Sequence, residues 1–63
     1  MTNSIYIIKA IDKAMNNYPL EYEFSNINHA RELFNELKAD DRIKDLYMYE
    51  YSFITKNYYL MEV

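Results

Sequence analysis

Tyr47, Tyr49, Tyr51 and Phe53 stand at every second position of one segment, and Leu46 and Met48 fall on the alternate positions. Alternation at period two is the pattern of a β-strand, whose successive side chains point to opposite faces of a sheet. Ile43–Phe53 therefore reads as a long strand. Its aromatic row lies on one face. Leu46 and Met48, then Glu50 and Ser52, lie on the other. A strand that is apolar on both sides needs cover on both sides, and this demand limits what the rest of a short chain can build.

Other segments add to the same sheet. Ser4–Ile11 is rich in isoleucine, with Ile5 and Ile7 toward one face and Tyr6 and Ile8 toward the other, and β-branched and aromatic residues favour strand; the competing reading is a helix through Asn16 with Ile8, Ile11 and Met15 along one stripe. Leu20–Phe24 alternates cleanly, Leu20, Tyr22 and Phe24 against Glu21 and Glu23. Between them, Asn16-Asn17-Tyr18-Pro19 breaks the chain: asparagine tolerates left-handed backbone where glycine is missing, and proline restricts the residue before it. Asp12–Asn17 is open to two readings, a short helical turn or a wide hairpin loop.

Ile27, Ala30, Leu33, Phe34 and Leu37 recur at helical spacing, which predicts a helix over Ile27–Lys38 with Ser25 or Asn26 as its cap. Arg31, Glu32, Asn35, Glu36 and Lys38 fall away from that stripe. Ala39-Asp40-Asp41 ends it. Thr55-Lys56-Asn57 is a predicted turn with Asn57 available for positive φ, followed by a final strand at Tyr58–Val63. The expected fold is α+β, in the order ββαββ: one small domain over 1–63, an antiparallel sheet of about four strands, and one amphipathic helix on one face.

Size sharpens the demand for cover. A 63-residue chain buries little surface and sits near the limit of independent stability. It has no cysteine, so neither a disulfide nor a thiolate metal site can staple it. One helix covers one sheet face. The other face calls for a second copy of the chain or for another protein, and closed two-fold pairs are the commonest assembly. The candidate interaction residues are Tyr47, Tyr49, Tyr51, Phe53 and Tyr59. If they serve a homodimer, a further partner meets an alternative polar surface made of Glu21, Glu23, Arg31, Glu32, Asn35, Glu36 and Glu50.

Several function classes lose their chemistry here. With no glycine, the phosphate loop, the dinucleotide fingerprint and the nucleophile elbow are absent. His29 is the single histidine and has no partner ligands or nucleophile in its setting, and neither Ser25 nor Ser52 has a nucleophile context. Asp40-Asp41 lacks the spaced oxygens and glycine bend of a calcium loop. No catalytic, metal or cofactor site is expected, and the chain reads as a non-enzymatic binder. A formal charge of −3 disfavours direct nucleic-acid binding, as does the lack of a basic frame around the tyrosines. Glu21, Glu23, Glu50 and Glu62 would form an acidic stripe if their strands were adjacent and in register, so a nucleic-acid mimic is one alternative. An accessory subunit without activity of its own is another. No segment reads as a signal peptide or a membrane span, and the expected location is cytoplasmic.

Size, a bias toward Asn, Lys, Ile and Tyr, the lack of glycine and cysteine, and mild acidity together resemble the small early proteins encoded by phages and mobile elements of low-GC bacteria. That resemblance implies an inhibitor or modulator in the bacterial host cytoplasm. Such a protein binds a host enzyme or a defence protein and blocks it by occupying a surface. The resemblance assigns no functional residue.

Overall fold

The computed structural model describes residues 3–61. They form β1 (Ser4–Asp12), a 3-10 turn (Lys13–Met15), β2 (Tyr18–Phe24), α1 (Ile27–Lys38), β3 (Ile43–Ser52) and β4 (Asn57–Leu60). The four strands make one antiparallel sheet in the order β2-β1-β3-β4. The fold is the expected α+β arrangement in the order ββαββ.

Topology places the helix. β1 runs antiparallel to both β2 and β3, so β2 and β3 run parallel to each other with β1 between them. The chain leaving β2 must cross β1 to reach β3, and α1 makes that crossing. It packs on β1, β2 and β3. Asn26 caps its start: the Asn28 N–H donates to Asn26 Oδ1 at 2.8 Å. Ala30 and Phe34 are its buried residues, and they close over Ile8 and Met48, both wholly inaccessible. Tyr6, Phe24, Leu33, Leu37, Leu46 and Met61 pack around that cluster. Each large side chain buried this way contributes about 1.5–3 kcal/mol, which makes this small cluster the main source of stability.

Four residues with positive φ do the work that glycine does in other chains: Asn16, Asn17, Asp45 and Lys56. Asn16 and Asn17 lead out of the 3-10 turn, whose start is capped by Asp12: the Ala14 N–H donates to Asp12 Oδ1 at 3.0 Å. Asp12–Asn17 is thus a tight helical turn with a left-handed exit. Asp45 marks a β-bulge. Lys9 pairs with Tyr47 but Ile11 pairs with Lys44, so β3 spends one more residue than β1 over this stretch. The bulge position of this type is ordinarily a glycine in the left-handed region; here an aspartate, one of the few residues tolerated there, fills it.

The last turn differs from the expectation at Thr55–Asn57. The loop is Phe53–Lys56, closed by the Lys56 N–H donating to the Ser52 carbonyl at 2.8 Å, and Ser52 Oγ accepts from the N–H groups of Ile54 and Thr55 at 3.3 Å each. Lys56, not Asn57, takes the left-handed conformation. β4 then starts one residue earlier than expected and ends at Leu60. The Met61 N–H still donates to the Met48 carbonyl at 2.9 Å. Residues 62–63, the end of the expected strand, lie outside the described residues.

Candidate interaction face

Register sorts the side chains into two faces, because residues paired across strands share a face. Ile8 pairs with Tyr22 and Met48, and Tyr6 with Phe24 and Glu50, so all of these lie on the helix side. Ile7 pairs with Glu23 and Tyr49, and Tyr49 with Leu60; Lys9 pairs with Glu21 and Tyr47; Ile5 pairs with Tyr51, and Tyr51 with Tyr58. This second set forms a face on which no element among the described residues packs.

The open face carries two central stripes. Ile5, Ile7 and Lys9 run along β1; Tyr51, Tyr49 and Tyr47 run beside them along β3, level by level. The rings fall into two groups, Tyr47 with Tyr49 and Tyr51 with Phe53 and Tyr58. Tyr47 and Tyr49 are 6.5 Å apart between centroids, Tyr51 and Tyr58 4.8 Å, and Tyr51 and Phe53 5.5 Å in an edge-to-face pair. Such spacings and tilts are those of favourable aromatic contacts. Ile7 lies beneath these rings at 4 % exposure, while Tyr47 (48 %), Tyr58 (64 %) and Leu60 (60 %) stand out into solvent. Two shallow hollows flank Tyr49. One, about 580 Å³, is lined by Lys9, Ile11, Pro19, Glu21, Asp45 and Tyr47 among others; the second, about 370 Å³, lies between Ile7, Lys9, Tyr49 and Tyr58.

Charges on this face are few and mixed. Lys9 and Lys44 stand against Glu21 and Glu23. Lys9 faces Glu21 across the strands without closing an ion pair. Among the described residues the one ion pair joins Arg42 to Asp40, at 2.9 Å, in the loop between α1 and β3. Hydrogen bonds from the Arg42 side chain and its backbone N–H hold the Asp40 carboxyl down at about 2, and Asp40 raises the guanidinium in return.

Of the five expected interaction residues, Tyr47, Tyr49, Tyr51 and Phe53 share the open face. Tyr59 does not. It pairs with Glu50 on the helix side, where its hydroxyl meets Thr55 Oγ1 at 2.8 Å. The cause is loop length. A three-residue turn at Thr55–Asn57 would set Phe53 opposite Tyr59, whereas the four-residue loop sets Tyr51 opposite Tyr58, and a change of register by an odd number of residues exchanges the faces of every side chain on β4. Tyr58 and Leu60 therefore replace Tyr59 on this face. Ile5, Ile7 and Lys9 join it because β1 sits beside β3, a neighbour relation that alternation within one strand does not reveal.

The polar candidates divide. Arg31, Glu32, Asn35 and Glu36 are exposed on the outer surface of α1. Glu21 and Glu23 edge the open face, while Glu50 is on the helix side, so these acids do not form the single stripe that nucleic-acid mimicry needs; Glu62 lies outside the described residues. His29 is exposed, and no group of three or more His, Cys, Asp or Glu among the described residues is placed to hold a metal ion. No helix among the described residues is long and apolar enough to cross a membrane.

Comparison with protein-family models, with curated proteins and with solved structures finds no match for this chain.

Proposed function

We propose that this chain is a non-enzymatic binding protein that acts by protein–protein contact and pairs with itself as a homodimer. The observation that carries this reading is the open face: tyrosine and phenylalanine rings with leucine and isoleucine beside them, uncovered by any of the described residues, with few and mixed charges. Contiguous apolar patches on small proteins mark interaction sites, and tyrosine is enriched at interfaces because its ring buries well and its hydroxyl stays satisfied at the edge. The compositional resemblance to phage and mobile-element proteins directs the reading further, toward an inhibitor or modulator of a host or defence protein in the bacterial cytoplasm. With the open face used for pairing, the outer surface of α1, Arg31, Glu32, Asn35 and Glu36, is the part left to meet that target.

Tyr49→Glu tests the face directly. It places a charge at the centre of the ring array. The expected result is a folded protein, with an unchanged far-ultraviolet circular dichroism spectrum, that has lost self-association. A soluble variant that keeps the wild-type mass and the wild-type target would remove the open face from the function.

A further inference from the structure

We infer that the occupant of the open face is a second copy of this chain, docked face to face about a two-fold axis that runs along the strands between β1 and β3. This inference rests on the protein-contact reading above and deepens it.

Three properties of the face point to a copy of itself. The first is size. Strands about 4.8 Å apart, with about 3.3 Å per residue, give the four strands roughly 500 Å² in projection. Protruding rings stand on that footprint and raise its accessible area above the projection, Tyr47, Phe53 and Tyr58 all being exposed. The accessible area thus approaches the ~800 Å² that one partner gives to a standard stable interface. The second is charge: Lys9 and Lys44 stand with Glu21, Glu23 and Asp45, which leaves the face within one charge of neutral, so repulsion between two copies is slight. The third is pattern. The two central strands carry different but complementary stripes, aliphatic on β1 and aromatic on β3, in register with each other.

The pattern also selects the axis. Rotation about an axis along the strands keeps each residue at its own level and exchanges β1 with β3. Ile7 of one copy then meets Tyr49 of the other, Ile5 meets Tyr51, and the Lys9 ammonium comes over the Tyr47 ring, a cation–π contact. β2 of each copy lies over β4 of the other at the edges of the contact, which sets Glu23 level with Leu60 and leaves Glu21 beyond the end of β4, at the polar rim. The other face-to-face arrangement has its axis across the strands at the level of Ile7 and Tyr49. It lays β2 on β2 and brings Glu23 against Glu23, like charges in a desolvated contact, which is costly. Aligned packing of twisted sheets, with strands crossing at about 30°, is compatible with the first arrangement.

Because the chain contains no cysteine, single thiols report on this geometry without background. Sedimentation of the wild-type chain should give a dimer. Tyr47→Cys should then be linked to itself by a short bis-maleimide, and Tyr51→Cys likewise, whereas a mixture of the two should give no link between positions 47 and 51. Both variants should sediment as dimers before the reagent is added; if replacing a ring dissociates one, Lys9→Cys with the same reagent takes its place, since Lys9 shares the level of Tyr47. Lys9→Glu should weaken the dimer about tenfold by turning the contact with Tyr47 from attractive to repulsive, and Lys9→Arg should preserve it. Links between 47 and 51 without self-links would overturn the proposed axis. A wild-type chain that stays monomeric at high concentration would overturn the second copy as occupant; the protein-contact reading would then be judged separately, by whether Tyr49→Glu loses the cellular target.

Discussion

Ile7 and Ile8 are neighbours on β1, and both are out of contact with water, at 4 % and 0 % exposure. They are covered by different means. Ile8 lies under α1, against Ala30, Phe34 and Met48, in a cluster closed by a whole secondary-structure element. Ile7 lies on the opposite face, beside Tyr49 and Glu23 in the ladder, and is covered by side chains of the sheet itself. One face is finished. On the other, the rings shield the aliphatic floor and are themselves left exposed, as at Tyr47 and Tyr58. A small sheet can therefore remain folded with one helix and still leave an apolar face open on its other side. Substitutions on the two faces should separate folding from association.

The largest separation should come from Phe34→Ala. Phe34 closes the helix-side cluster, and truncating a buried aromatic costs about 3–5 kcal/mol. Domains of this size have roughly that much stability in total, so the variant should be largely unfolded at room temperature by circular dichroism. Tyr47→Ser, on the open face, should behave in the opposite way. The position is half exposed, so the folding stability of the separated chain should move by less than about 0.5 kcal/mol while self-association weakens at least tenfold. Equal loss of folding in both variants, measured by urea denaturation at a concentration where the chain is monomeric, would end the distinction between the faces.

Next in size is the cap that holds the covering helix in place. Asn26→Ala removes the acceptor for the Asn28 N–H and should cost about 1 kcal/mol, seen as a lower urea midpoint with an unchanged slope. The β3–β4 loop gives a change of similar size and opposite sign. Lys56 has a φ of 58°, a region that costs an ordinary residue roughly 1 kcal/mol. Lys56→Gly should recover part of that cost, provided that the added freedom of the unfolded chain does not cancel it. It should raise the urea midpoint without altering association, since Lys56 itself is outside the ring array.

These positions also show where the sequence was legible. The helix, its cap and all four strands were readable because each has its own periodicity. Ile27, Ala30, Leu33, Phe34 and Leu37 fix a helix without reference to anything else, and the tyrosine row fixes β3. The membership of the open face was only partly readable. Tyr47, Tyr49 and Tyr51 share one strand, so alternation alone unites them. Tyr58 against Tyr59 depends on whether the preceding loop has three or four residues, and that turned on which of Lys56 and Asn57 accepts a left-handed backbone. Asparagine is the easier choice on local grounds. The lysine was chosen because Ser52 can accept from the next turn's N–H groups and because the ladder then sets Met61 against Met48. The bulge at Asp45 was hidden for the same reason: an aspartate in a strand segment does not announce a left-handed residue as glycine would.

The smallest effect should come from the Asp40–Arg42 pair, which lies in the loop that returns from the covering helix to β3. In the folded chain the carboxyl ionises at about 2, against an ordinary value of 3.8, chiefly because the Arg42 side chain donates hydrogen bonds to it. A lowered folded-state value means that the ionised pair adds stability at every pH above the ordinary carboxylate range, and that this contribution fades as pH falls from about 4 toward about 2. The pair is open to solvent and screened by salt, so its effect is minor. Asp40→Asn should flatten the acid limb of the wild-type stability curve in that window and leave the curve at neutral pH nearly unchanged. Its Oδ1 can still accept from the Arg42 N–H, as the carboxylate does at 3.0 Å, so the loop that seats the helix should persist. The dimer should be indifferent to the substitution, because the open face takes nothing from this loop. A change in association from Asp40→Asn would mean that the two faces communicate through the helix, and that covering one of them sets the shape of the other.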